Sequence, residues 1–478
     1  MVDPVAASRL QFALTTIVHI IFPVMSMGLA PFLVYFTWKE VRDGPPVYEQ
    51  LRRFWGTVFA ISFVVGTVTG IVLEFEFGTN FGAFSTMAGQ IIGGPLAVEG
   101  MMAFMLEATF LGIFLFGRER VSDRLFFLSG LAVAVGSWLS ALWILIVNSW
   151  MQTPRGFEVV VQNGHRVVKL TDPMAAYLNP RFPWMYTHMQ TAAVETVALF
   201  MAGVAAYYVF RHHVWGYSIQ NVEFWEKSLK IALVVLLVTA PLQVAQGDAY
   251  ARHVYETQPQ KFAAMEAVWE TESHVPEYII AFPTDLQDLT NPRAKDLFGI
   301  GIPGGASWLA SGGNASATIR GLETFEEPHP PVAIVFWSFR MMVGLGFWFV
   351  LLAFWGAYRW WRGELFEDDL LHKALMGSSL LGFVAVETGW IVTEVGRQPW
   401  LIHGVMETPQ GVSSGLTGTE ATITLVGFAV GYFLLLVLYV YVIARVIRQG
   451  PPPEEDLVTA DATATGPTAE TTEVSDDD

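Results

Sequence analysis

The chain has 478 residues, 53% hydrophobic and 14% aromatic, and only 15% charged, well under the quarter usual in soluble domains. Its formal charge is −17, but nine of the acids fall after position 450, so the imbalance is largely a property of the tail. The absence of cysteine excludes disulfides, iron–sulfur clusters, thiolate-bound haem and covalently attached c-type haem.

Nine apolar blocks of spanning length follow one another, at roughly 11–37, 54–76, 93–117, 126–149, 184–210, 228–247, 331–357, 372–394 and 420–445. They predict an all-α polytopic membrane protein with about nine transmembrane helices. Asp3 and Arg9 precede the first block, which has full spanning length and no small-residue cleavage pattern, so no cleavable signal peptide is expected. Basic residues set the direction. Connection 38–53 holds Lys39, Arg42, Arg52 and Arg53, and 118–125 holds Arg118, Arg120 and Arg124. Connection 211–230 holds Arg211, Lys227 and Lys230, and 358–373 holds Arg359, Arg362 and Lys373. The alternate connections 77–92 and 395–419 hold none and one (Arg397), whereas 150–183 dissents with four. The majority places the N-terminus outside and the C-terminus in the cytoplasm.

The chain accordingly divides into helices 1–6 (residues 1–247), an outer segment (248–330), helices 7–9 (331–449) and a tail (450–478). Segment 150–183 lacks a regular pattern. Segment 248–330 is rich in charge, Gly and Pro and too long for a plain connector. The tail is acidic and rich in Thr, Ala and Pro, and is expected to be disordered.

Ionisable residues inside hydrocarbon are costly, which makes them functional hypotheses. Of ten histidines, only His19 and His188 lie on spanning blocks; a hydrogen-bonded packing role is the alternative for either one. Glu99 and Glu107 are eight residues apart, on one helix face about 12 Å apart along the axis. Glu195 follows His188 by seven, and Glu387 and Glu394 are likewise seven apart. With the N-terminus outside, His19, Glu99, His188, Glu387 and Glu394 all fall in the outer half, which points to a shared site. Two spanning histidines are too few for two bis-histidine haems or for a haem–copper centre. A proton-coupled transporter could use the glutamates but leaves the Met and aromatic load without a reason. Haem can also be held by His with Met, or by one ligand with the sixth position open. SFRMMVGLGF (338–347) supplies Met341 and Met342 on a spanning block, with Arg340 beside them.

Seven stretches carry a family resemblance: SRLQFALTTIVHIIFP (8–23), FWGTVFAISFVVGTVTGIVLEFEFGTN (54–80), GGPLAVEGMMAFMLEATFLGIFLFG (93–117), SALWILIVNSWMQTP (140–154), GDAYARHVYETQPQKFAAMEAVWET (247–271), SFRMMVGLGF (338–347) and VAVETGWIVTEVGRQPW (384–400). From Ser8 to about Arg448 the chain resembles subunit I of the cytochrome bd-type quinol oxidases. The resemblance implies a multi-pass plasma-membrane enzyme that oxidises quinol on the outer side and reduces dioxygen to water, building a proton gradient without pumping. It implies three haems: a low-spin haem b, a high-spin haem b, and haem d or a second high-spin haem b. By the same resemblance His188 and Met342 are the axial ligands of the low-spin haem, and His19 and Glu387 those of the two high-spin haems. Glu99 and Glu107 then contact haem or deliver protons, with Ser140 on the same route. Arg9 and Arg340 pair with haem propionates, the alternative being lipid-headgroup anchors, and Arg397 lies near a haem edge. Segment 248–330 matches the quinol-oxidising loop in a short form, with Lys261 and Glu266 at its quinol site. The implied partners are membrane quinol, dioxygen, lipid, a second membrane subunit and a small accessory subunit, with no nucleic acid. A transporter using the buried glutamates, or a scaffold subunit with degenerate sites, are the competing readings.

Overall fold

The computed structural model describes residues 3–44, 46–162, 164–453 and 457. Most of the acidic tail expected to be disordered lies outside the described residues. Helix α1 (Pro4–Asp43) begins where Asp3 accepts hydrogen bonds from the backbone of Val5 and Ala6, with Pro4 pre-set for the first turn, and it ends at Gly44 with φ +64°. It pairs with α2 (Pro46–Thr79). Next, α3 (Gly82–Val98) passes through a π-helical turn at Glu99–Ala103 into α4 (Phe104–Phe116), and α5 (Asp123–Gln152) returns. Pro95, four residues before that turn, has no N–H to give the helix ladder, a local cause for the irregular winding.

A two-stranded hairpin (Phe157–Gln162 with His165–Leu170) and the short α6 (Pro173–Tyr177) occupy the segment that looked patternless. FEVVVQ and RVVKL on either side of Asn-Gly are in fact a hairpin signal, and Gly164 takes the positive φ of +80° that the turn needs. Helices α7 (Phe182–His213) and α8 (Val222–Thr257) follow. Since α8 continues unbroken to Thr257, the boundary drawn at 248 falls within a helix and the outer segment begins as its extension. That segment holds α9 (Pro259–Met265), α10 (Leu286–Thr290), α11 (Gly305–Ser311) and a strand pair, Glu277–Phe282 with Phe298–Ile302. The chain closes with α12 (Val332–Trp361), α13 (Asp369–Ser378), α14 (Leu381–Val395), α15 (Thr408–Gly411) and α16 (Gly418–Gln449).

Among the described residues, eight helices are long and apolar enough to span a membrane, and α13 with α14 makes a ninth span bent by 40°. The nine predicted spans are therefore present, each helix running past its apolar block into the polar margins. Small residues let the helices approach closely, as association in lipid requires. Pro31 inside α1 frees the Met27 carbonyl, and the Trp138 indole of α5 donates to it at 3.2 Å.

The two ends of the bundle differ. One gathers the N-terminus, residues 80–82, the hairpin, the outer segment and residues 396–413, tied by Asn80 to Ser8, Arg9 to Gln398 and the His403 amide to the Met151 carbonyl. At the other, buried Glu40 binds Arg52 at 2.5 Å and Arg118 at 2.9 Å, and both guanidiniums lie over the Phe126 ring. This set joins α1 to α2 and to the α4–α5 turn.

The tightest crossing is between α1 and α7. A Cβ on Gly28 would lie 2.3 Å from the Ala193 carbonyl oxygen and 2.5 Å from a Val197 methyl. Because the first obstacle is backbone, Gly28→Ala should destabilise by about 1–3 kcal/mol, read as a lowered midpoint in thermal unfolding of the solubilised protein.

Candidate functional site

A cavity of about 570 Å³ opens between α7, α8, α12 and α14 and reaches the outer segment. Its volume is that of a small-molecule or cofactor site. His188 of α7 and Met342 of α12 both line it. The Gln243 amide donates to His188 Nε2 at 3.2 Å, while His188 Nδ1 is buried without a partner. Glycine keeps the walls flat where the ligands stand. A Cβ on Gly389 would lie 3.0 Å from the Met342 sulfur, and one on Gly247 3.6 Å from the His188 ring. An imidazole and a thioether facing a flat-walled slot suit a planar macrocycle held by two axial ligands.

His19 sits in a second environment, between α1 and α2. The Thr69 hydroxyl donates to the Val65 or Gly66 carbonyl at 3.0 Å, so its oxygen accepts from His19 Nδ1 at 2.9 Å. That bond selects the tautomer with a free lone pair on Nε2, the arrangement of a metal-binding histidine. Gly70 lies against the ring, where a Cβ would come within 3.2 Å. Helix α14, which carries Glu387, packs against α1: Val386 and Ile20 belong to one buried cluster. Both Glu387 carboxylate oxygens are buried with neither hydrogen bond nor ion pair. A bare carboxylate in hydrocarbon is tolerated when a cation compensates it. Among the described residues no three His, Cys, Asp or Glu converge on a metal position. Single axial ligands to an iron already held by a macrocycle fit this donor set, and a protein-only metal cage does not.

Glu99 and Glu107, with the π-helical turn between them, both reach the same side of α5, where Ser140 donates to Glu99 at 2.7 Å and Ser137 donates to Glu107.

In the outer segment, Arg340 and Glu266, assigned separate roles from sequence, form one unit. Arg340 binds Glu266 at 2.9 Å and Glu277 at 2.8 Å and donates to the Tyr278 carbonyl at 2.5 Å. Burial, with Glu277 beside it, pushes the Glu266 carboxyl well above the usual carboxylate range despite Arg340. Lys261 donates to Gln152 at 2.7 Å and to the Thr393 carbonyl at 2.9 Å, and burial followed by Arg181 and Arg397 pulls its pKa well down. Arg397 pairs with Glu394, leaving its Nε and Nη1 buried and unpartnered. Two buried guanidiniums, Arg181 and Arg397, with the Lys261 amine beside them, thus lie about the single carboxylate of Glu394, which also accepts from Asn148 and Gln152. A buried excess of positive charge is a place for an anionic group such as a propionate. Arg9, by contrast, is exposed and bonded to Gln398 at 3.3 Å, with no contact to the cavity lining.

Sequence reasoning missed Arg181, Glu277, Thr69, Ser137 and His403. Arg181 left a signal, as one of the four basic residues that made connection 150–183 dissent from the topology rule. It is buried, its guanidinium 5.0 Å from the Tyr250 ring centre, so it is no membrane-surface charge. His403 is held neutral, its pKa pushed down to about 4 by burial and then by Lys261, Arg181 and Arg397.

The Glu266 carboxyl holds its proton to higher pH when folded than when unfolded. Its contribution to stability is therefore full in acid and is lost as pH rises from the ordinary carboxylate range through the raised value. Glu266→Gln should abolish that loss, seen as a smaller drop in thermal midpoint between about pH 5 and about pH 8 than in the parent protein.

The family described as "Cytochrome bd terminal oxidase subunit I" matches residues 7–451. Among similar proteins, "Cytochrome bd ubiquinol oxidase subunit 1" of Bacillus subtilis is 34% identical over 453 residues, covering 93% of each chain. "Cytochrome bd-II ubiquinol oxidase subunit 1" of Escherichia coli is 32% identical, covering 94% of this chain and 98% of its own. The solved bd oxidase from Geobacillus thermodenitrificans superposes with a TM-score of 0.81 at 30% identity, over 94% of this chain and 99% of that one.

Proposed function

The chain belongs to the cytochrome bd terminal oxidase subunit I family, and on that premise we propose that it is the haem-carrying, quinol-oxidising subunit of a respiratory oxidase in the plasma membrane. It takes two electrons and two protons from each membrane quinol at the outer segment and serves the reduction of dioxygen to water. It works with a second membrane subunit and a small accessory subunit. The basic-rich end marked by Glu40, Arg52 and Arg118 faces the cytoplasm, placing the N-terminus outside. Residues 1–247 and 331–449 then form the ligand-bearing spans and 248–330 the quinol segment.

The observation that carries this reading is that His188, Met342, Lys261 and Glu277 line one cavity, so the ligand pair and the outer segment border the same space. When bound, a low-spin haem b, a high-spin haem b and a haem d or second high-spin haem b supply one-electron transfer and an open site for dioxygen. The chain's own residues do the rest. His188 and Met342 would hold the low-spin haem, while His19, oriented by Thr69, and Glu387 would each hold a high-spin haem. Arg181 and Arg397 would answer propionate charge. Arg9 lies too near the surface for that task and anchors the Gln398 segment instead. Arg340 positions Glu266 and Glu277, and Glu266 or neutral Lys261 accepts protons from the quinol hydroxyls. Protons for water are passed from the cytoplasmic side along Glu107, Ser137, Ser140 and Glu99. Since quinol protons leave outside and water protons enter from within, charge separation needs no pump.

His188→Ala or Met342→Leu should remove the low-spin bands from the reduced-minus-oxidised spectrum and leave high-spin haem, whereas Glu387→Ala should cost a high-spin haem in extracted-haem analysis. Retention of all bands in every variant would refute these ligands. For the quinol site, Glu266→Gln and Lys261→Met should each lower kcat/KM for quinol by about 10²-fold, checked by steady-state oxygen uptake at varied quinol concentration.

A further inference from the structure

A second cavity, of about 460 Å³, lies apart from the ligand site, in the half of the bundle that ends at Glu40, Arg52 and Arg118. Pro31 and Tyr35 of α1 form one wall, Ile231 and Val235 of α8 the other, and Trp360 of α12 the lip. Hydrocarbon and aromatic rings line its length, and Lys230 is its charged member. The Lys230 amine lies 4.8 Å from the ring centre of Phe366, in the turn after α12, so its stem follows the slot and its charge emerges at the polar end. There it has company. Tyr35 feels the charges of both Lys39 and Lys227, and Lys227 lies one helical turn from Lys230. Acids are present too, Glu223 at 3.4 Å from Lys227 and Glu226 paired with His213 one turn before Lys230, but Lys230 itself has no ion pair among the described residues. Trp360, 38% exposed, takes the place of an interfacial belt residue.

We propose that this slot is a binding site for one anionic phospholipid, an acyl chain lying between α1 and α8 with the phosphate on Lys227 and Lys230. The order of chemistry along the groove carries the assignment. A cationic, aromatic-rimmed mouth at the membrane boundary leads into a long apolar slot, the complement of a phosphate ester joined to a fatty chain. The site lies on the face of α1 beyond the Pro31 bend, far along the helix from His19, and makes no use of the haem ligands. It is therefore independent of the functional reading above.

The test uses the purified, haem-loaded oxidase complex and native mass spectrometry after incubation with dioleoylphosphatidylglycerol, with dioleoylphosphatidylcholine or with a long-tailed quinone. The parent complex should retain phosphatidylglycerol in preference to phosphatidylcholine. Lys227→Gln and Lys230→Gln should each weaken that retention roughly five-fold. Val235→Trp, which fills the slot, should lower retention of both lipids, while Val238→Trp, on the same helix but 62% exposed and outside the slot, should not. The haem spectrum of each variant reports folding, and if Val235→Trp fails to assemble the lysine variants decide the matter. Equal retention of the two lipids by the parent complex, unchanged retention in both lysine variants, or displacement of the phosphatidylglycerol by the quinone overturns the proposal.

Discussion

Charge placed in hydrocarbon must be matched, and most of this protein's architecture follows from how each buried charge is answered. Away from the ligand positions the answer is internal. Glu40 is shared by Arg52 and Arg118, Glu76 accepts from Thr15 at 2.6 Å, and the carbonyl freed by Pro31 is taken by Trp138. At Glu387 the answer is missing. Among the described residues it is the acid with both oxygens buried and with neither ion pair nor hydrogen bond. The same contrast separates His19, whose Nδ1 is engaged by Thr69 so that Nε2 is left free, from a histidine that merely packs. Other buried groups in the spans also lack a partner, a Glu195 oxygen and both His372 ring nitrogens among them, but at Glu387 a whole carboxylate lacks both hydrogen bond and ion pair, and a haem iron would have the charge and ligand preference to answer it.

The outer segment is organised by the same electrostatics at shallower depth. Arg340 lies between two acids, and nearby Arg181 and Arg397 lie with the Lys261 amine around one acid. The two groups are adjoining and oppositely biased. Lys261 links them to the spans, since its amine binds the Thr393 carbonyl of α14 and the Gln152 side chain of α5. It also lines the cavity that His188 and Met342 line, so the outer segment and the spans meet at helix ends.

Much of this was legible in the residue order. Spans of apolar residues, the two spanning histidines, Met342 and the isolated acids are local signals, because each is anomalous against hydrocarbon wherever the helix comes to lie. The hairpin at 157–170 was also written locally, in the valine runs FEVVVQ and HRVVKL on either side of Asn-Gly. Arg181 is the instructive miss. It was counted as one of four topology charges in the dissenting connection, and its burial over Tyr250, which no flank count can see, removes one of the four.

The sequence by itself determined the nine apolar spans and marked the ionisable and sulfur-bearing residues that stand out in them, since these depend on each residue's own free energy in lipid or water. Only the tertiary structure decided which groups answer one another. It joined Arg340 to Glu266 across 74 positions, and Lys261 to Gln152 across 109. It sent Glu99 and Glu107 to different serines through a π turn, and bent the eighth span ahead of Glu387. These outcomes rest on helix crossings such as Gly28 against Ala193, where a close approach measured in tenths of an ångström sets which side chains meet. A linear order of residues records the size of each side chain, but pairing at a distance depends on how all of them pack at once.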